Sequence, residues 1–134
     1  MPDTDFSSTF NTARSEATLL VQFIPSAGRH GQPLGKARQQ RWVRKALKLL
    51  GENLRGGTVY PRGWGVWRDD ARGGVLVWDR PVVIQCFTNQ ASLAEHAKTI
   101  EAFLRELGRK TRQGAVGFVV DRGYYEYEFP LEGA

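Results

Sequence analysis

A chain of 134 residues, 41% hydrophobic and 25% charged, has ordinary soluble composition and length enough for one domain whose core needs no disulfide staples. Its single cysteine, Cys86, excludes an intramolecular disulfide, no run approaches a membrane span, and the acidic start MPDTDFSSTF lacks the basic flank of a secretory signal, so a cytoplasmic location and no membrane partner are expected. The formal charge of +5, from 19 basic and 14 acidic side chains, permits a polyanionic partner without demanding one.

Residues 1–17 are rich in Ser, Thr and Asp without periodicity and read as a flexible N-terminal arm, followed by a single α+β domain over 18–131. An apolar run at 19–24 predicts a buried first strand, and residues 25–35, with several glycines and prolines, predict a loop. From 36 to 54 the apolar residues Trp42, Val43, Ala46, Leu47, Leu50 and Leu54 fall on one stripe at helical spacing, with Gly56-Gly57 as the stop. Arg38, Arg41, Lys45 and Lys48 occupy the other side of this helix, where like charges cost about 0.2–0.5 kcal/mol per pair and an anionic partner would relieve them.

Extended segments follow at 59–68 and 75–87. Strands at 66–70 and 75–78 joined by residues 71–74 predict a hairpin, in which Trp67 faces Trp78 as a cross-strand pair. Pro81 cannot donate a ladder hydrogen bond, so a break is expected at Asp79-Arg80-Pro81 before the strand VVIQCF, in which Cys86 reads as a buried small hydrophobe. Asn89 or Ser92 caps a second helix with Leu93, Ala97, Ile100, Phe103, Leu104 and Leu107 on its buried stripe and Gly108 at its end. Strands at 115–120 and 124–129 flank the turn Asp121-Arg122-Gly123, where Asp121 is placed to cap its own turn.

The order β-α-β-β-α-β with an additional C-terminal strand predicts a ferredoxin-like antiparallel sheet with two helices on one face. The other face stays open, with Tyr60, Trp64, Trp78, Tyr124, Tyr125 and Tyr127 offered to it. An open aromatic face implies a dimer contact, a nucleic-acid platform or a ligand cleft.

The stretch carrying Gly57, Thr58, Val59, Gly65, Trp67, Arg68, Asp69 and Gly73-Gly74 resembles a G-x-T-V…G-x-W-R-D…G motif of a family of small uncharacterised bacterial α+β proteins. The chain departs from that pattern at Val75-Leu76-Val77, where the family has an acidic residue, and at Phe23-Ile24-Pro25. The resemblance implies a similar α+β fold over residues 42–120 and almost nothing about activity, since the family has no established one to lend.

The chemistry is sparse. There is no P-loop or dinucleotide fingerprint, and no cofactor is called for. His30, His96 and Cys86 do not stand at ligand spacing, so no metal is expected. Asp69 and Asp70 read as solvated turn residues, and His96 as a boundary histidine of the second helix.

Three functions compete. The first is a non-enzymatic binding or assembly protein, homodimeric, using the aromatic and arginine-rich surface around Arg29, Tyr60, Arg62, Trp64, Trp67 and Arg68. The strand alternation there sets Arg62 and Trp64 on one side and Trp67 on the other. The second is a nucleic-acid-binding protein using Arg38, Arg41, Lys45, Lys48 and the hairpin arginines. The third is an enzyme for a small anionic substrate in a cleft between the 25–35 loop and the 61–68 segment, with His30 as acid–base candidate and Arg29, Arg62 and Arg68 as anion clamps.

Overall fold

The structure, a computed structural model, describes residues 6–13 and 15–130. After a single helical turn, α1 (Ser7–Phe10), in the segment expected to be an irregular arm, the chain forms β1 (Thr18–Ile24), α2 (Lys36–Leu54), β2 (Thr58–Tyr60), β3 (Gly65–Asp69), β4 (Val75–Asp79) and β5 (Val82–Thr88). Two consecutive helices, α3 (Gln90–Glu95) and α4 (Ala97–Lys110), precede β6 (Ala115–Val120) and β7 (Gly123–Glu128).

The main sheet has five strands in the order β2-β5-β1-β6-β7, every neighbouring pair antiparallel. With β7 set aside, the remaining order is consistent with a ferredoxin-like arrangement. Alternation puts Thr18, Leu20, Gln22 and Ile24 of β1, all buried, on the side that takes the helices, while Val21 is buried on the other. Leu20 pairs with Cys86 and Ile24 with Val82, and these meet Trp42, Val43, Ala46 and Leu50 of α2 and Ile100, Leu104 and Leu107 of α4 in one core. Cys86 is accordingly a packed residue, and burial pushes its thiol above the ordinary value.

The extra strands depart from the simple topology. β3 and β4 pair only with each other, as a two-stranded hairpin inserted between β2 and β5. The expected strand at 59–68 is therefore two strands in two sheets, separated at Pro61–Trp64, and the alternation that placed Arg62 beside Trp64 does not run through it. Nor do Trp67 and Trp78 face one another: the register pairs Trp67 with Val77 and Trp78 with Val66. A 3-10 turn over Asp70–Arg72, closed by Gly73 at φ 72°, takes Asp70 out of the strand, and that one-residue shift sends the two indoles to opposite faces. Trp78 packs instead edge-on against Trp64, 6.3 Å between ring centroids.

Other expectations change for similarly local reasons. Asn89 is the cap of α3, its Oδ1 accepting the Ser92 N–H at 2.8 Å. His96 sits at the break between α3 and α4, and α4 does not stop at Gly108 but continues to Lys110. Gly108 is buried because the Phe129 ring packs on it, and a Cβ there would lie 2.1 Å from that ring. Asp121 does not cap its own turn; its Oδ1 accepts the Leu19 N–H at 2.9 Å and ties the β6–β7 turn to β1. Tyr125 and Tyr127 belong to the helix side, stacked on Phe118 at 5.6 and 5.5 Å, so of the three tyrosines only Tyr124 faces the open side.

Candidate functional site

The inserted hairpin leans over the open face of β1, β6 and β7 and encloses a cleft of about 780 Å³. The floor comes from strand alternation. Phe23 of β1, Ala115 and Gly117 of β6, and Tyr124, Glu126 and Glu128 of β7 all face away from the helices. Gly117 lets the Tyr124 ring lie flat against the sheet: a Cβ there would come within 2.1 Å of the phenol oxygen. The Tyr124 hydroxyl donates to Glu126 Oε2 at 3.1 Å, and burial, reinforced by that carboxylate, raises its pKa.

The roof is the hairpin, which contributes Gly65, Trp67, Arg68, Asp69 and Asp70. Asp69 is buried rather than solvated, and Arg72 Nε holds it at 2.7 Å, which keeps its carboxyl below the usual carboxylate range. Asp70 is exposed and accepts from Arg68 Nε at 2.6 Å, which raises the Arg68 pKa. At one end stand Pro25 and Arg29, the latter donating to the carbonyls of Pro130 at 2.9 Å and Phe129 at 3.2 Å. Asp79, also on the wall, accepts from the Ser26 backbone N–H at 2.8 Å and the Ser26 hydroxyl at 2.5 Å.

The charge in this cleft runs against the rest of the chain. Five carboxylates line it (Asp69, Asp70, Asp79, Glu126 and Glu128) against two guanidinium groups, Arg29 and Arg68, in a protein of formal charge +5. Together with Phe23, Trp67 and Tyr124 it offers aromatic surface beside acidic groups, a combination suited to a flat ring carrying positive charge. Among the described residues no group of three or more His, Cys, Asp or Glu side chains could hold a metal ion.

The structure brings Arg29, Trp67 and Arg68 together at the cleft and sets the other candidates elsewhere. Trp64 is 72% exposed on the outside of the hairpin, with the Arg80 guanidinium 4.9 Å from its ring, and Tyr60 is exposed on the edge strand β2. Arg62 lies half-buried in the connection, and His30 is exposed in the 25–35 loop; neither is among the cleft-lining residues. On α2, Arg38 donates to the Lys110 carbonyl, Lys45 lies 4.8 Å over the Trp42 ring and 4.0 Å from Glu106, and Lys48 lies 3.8 Å from Glu52. Arg41 is exposed.

Sequence reasoning missed Phe23, Glu126 and Glu128, and it offered Tyr124 to the open face without placing it among the site residues. The signal was present in Tyr124-Tyr125-Glu126-Tyr127-Glu128, whose even positions share one face of a strand. What it lacked was the knowledge that this face lies under a hairpin.

No family model and no curated protein matches the chain. Two solved structures do. A phage SAM lyase in complex with S-methyl-5′-thioadenosine is 14% identical, with a TM-score of 0.65 over 88% of this chain and 96% of that one. A phage SAM lyase in its apo state is 13% identical, with a TM-score of 0.64 over 88% and 94%. At this identity the likeness establishes a shared fold.

It also corrects the leading expectation from sequence. A non-enzymatic binding or assembly protein was inferred from an aromatic surplus combined with missing catalytic motifs, yet the same architecture, almost end to end, is that of an enzyme with a small-molecule ligand. Missing short motifs carried no weight, because a cleft assembled from strand faces leaves none in the sequence. Among the described residues no helix is long and apolar enough to cross a membrane.

Proposed function

We propose that this chain is a small-molecule enzyme whose cleft takes an adenosyl sulfonium, of the type of S-adenosylmethionine, and breaks its bond between sulfur and the aminobutyryl chain. The observation that carries this reading is the near full-length likeness to a lyase holding S-methyl-5′-thioadenosine. The cleft's own chemistry supports it independently. Its acidic lining suits a substrate with a sulfonium and an ammonium group, so the enzyme reading is kept while its anionic substrate is replaced.

When sulfur departs, the electron pair of the breaking carbon–sulfur bond goes to sulfur and its positive charge vanishes. The carbon it leaves takes a new bond either from the substrate's own carboxylate oxygen, closing a lactone, or from the C–H pair of the neighbouring carbon as a base removes that proton. A carboxylate paired tightly with the sulfonium would therefore stabilise the ground state more than the transition state. Glu126 and Glu128 are better used on the ammonium group, whose charge does not change, or as a base on the aminobutyryl chain. Arg29 stands beside Glu128, its guanidinium held on the carbonyls of Phe129 and Pro130, where it would meet the substrate carboxylate. Trp67 and Tyr124 offer faces to the adenine, and stacking of this kind is worth about 1–3 kcal/mol per base.

The test is incubation of the purified protein with S-adenosylmethionine, following S-methyl-5′-thioadenosine by chromatography and mass spectrometry. Product should form well above the uncatalysed rate and fall at least about a hundredfold in whichever of Glu126→Gln and Glu128→Gln removes the base, the lower end of a general acid–base contribution. Turnover no faster than buffer, with no calorimetric signal for S-methyl-5′-thioadenosine, would sink this reading.

A further inference from the structure

The hairpin forming the roof is built unlike the rest of the molecule. Neither β3 nor β4 pairs with the main sheet, and no residue between Leu54 and Val82 belongs to the buried core cluster. Val77 is buried on the inner side of the hairpin but stands outside that cluster. An element held by few buried apolar contacts opens at a lower free energy than the core it is attached to.

Its two ends come together. Gly63 donates its N–H to the Pro81 carbonyl at 2.9 Å, so entry and exit form a single neck. One side of the neck is Gly63-Trp64-Gly65 and the other is Asp79-Arg80-Pro81. Beyond the neck, hydrogen bonds to the body come from Gln39 of α2, whose Nε2 donates to the Arg80 carbonyl at 3.1 Å, and above all from Ser26, just past the end of β1. Its N–H and hydroxyl both donate to Asp79 Oδ1, and its Oγ accepts the Arg80 N–H at 2.8 Å. Ser26 thus grips the hairpin at its base while Trp67, two residues beyond Gly65, projects over the cleft.

We propose that the β3–β4 hairpin is a flap that opens separately from the core, hinged at this neck and latched by Ser26, and that its closure seats Trp67 as a specificity-determining wall on the cleft's occupant. Ser26 is a positioning residue: it touches no substrate and acts through Asp79. A planar heterocycle rewards closure because it presents a face to the indole, whereas an aliphatic ligand of equal charge does not. The choice of an adenosyl compound as probe rests on the proposed function; the existence of the flap does not.

Hydrogen exchange on the full chain, read by mass spectrometry, separates the two. In the free protein, amides of residues 65–79 should exchange at least about tenfold faster than those of β1 and β5. Ser26→Ala should speed hairpin exchange further and leave β1 and β5 unchanged, and Ser26→Thr, which keeps the hydroxyl, should restore it. Bound S-methyl-5′-thioadenosine should slow hairpin exchange, and Ser26→Ala should raise KM more than it lowers kcat. Hairpin amides as slow as those of β5, or indifferent to Ser26→Ala, would overturn the flap. So would calorimetric binding of the thioadenosine with no change in hairpin exchange. Failure of the thioadenosine to bind at all would instead count against the proposed substrate, with the ligand-free exchange still deciding the flap.

Discussion

The five-stranded sheet with its helices and the inserted hairpin use aromatic residues in opposite ways. In the body, Trp42 is 6% exposed, edge-on to Phe103 at 6.0 Å and enclosed by the core. In the hairpin, Trp64 and Trp78 are 72% and 59% exposed and touch chiefly each other and Arg80. The first arrangement stabilises the fold by burial; the second decorates an element whose position the fold does not need. A tryptophan count therefore reports nothing about function until each indole is assigned to one region or the other.

The largest effect expected from this contrast is on stability. Trp42→Ala removes a buried indole from the core and should cost about 3–5 kcal/mol in denaturant unfolding. A loss comparable to that of an exposed hairpin tryptophan would break the comparison at its root.

Next comes binding. Trp67→Ala should weaken S-methyl-5′-thioadenosine by about 1–3 kcal/mol in calorimetry, the worth of a stacked base, while unfolding stability changes by no more than about 0.5 kcal/mol. The reverse pattern would place Trp67 in the body rather than in the site.

Smaller still is the outer face. Trp64→Ala deletes the edge-on contact with Trp78 and the contact with Arg80, worth about 0.5–1.5 kcal/mol beyond burial. The loss should appear as faster exchange within the hairpin and leave the core's unfolding midpoint unmoved.

The smallest effect sharpens the comparison by pH. The Arg72 hydrogen bond lowers the Asp69 pKa, so the folded value lies below the unfolded one. Its stabilisation is complete above about pH 4, the ordinary carboxylate range, and is lost as pH falls through the lowered value. Amide shifts of residues 69–74 should hold steady from neutral pH to about 4 and move only below it. Movement near pH 6 would mean that the turn responds to a different group.

Much of the fold was legible because it follows from local pattern. The stripe from Trp42 to Leu54 marked α2 at the bounds the structure gives, and the apolar run of β1 and the break at Pro81 were equally readable. Local pattern failed where a side chain's role depends on a distant neighbour. Gly108 looked like a stop because a glycine near a helix end usually is one, but Phe129 packs on it and the helix runs on. Asp121 looked self-capping, but its partner is the Leu19 N–H of another strand.

The site divides along the same line. Arg29, Trp67 and Arg68 were marked by composition and line the cleft. Tyr60, Arg62, Trp64 and His30 drew attention for the same compositional reason, and the tertiary structure sets them outside it. By itself, the sequence determined α2, the buried stripe of α4 and the position of most strands, because burial periodicity is written residue by residue, but not the faces of β7 or of the hairpin. Only the tertiary structure decided that the segment after Tyr60 leaves the main sheet, since that depends on which edge the chain finds to pair with. The acidic lining beneath the hairpin was likewise undetermined until folding: Asp69 and Asp79 lie far along the chain from Glu126 and Glu128, and a local field is the sum of charges that folding brings together.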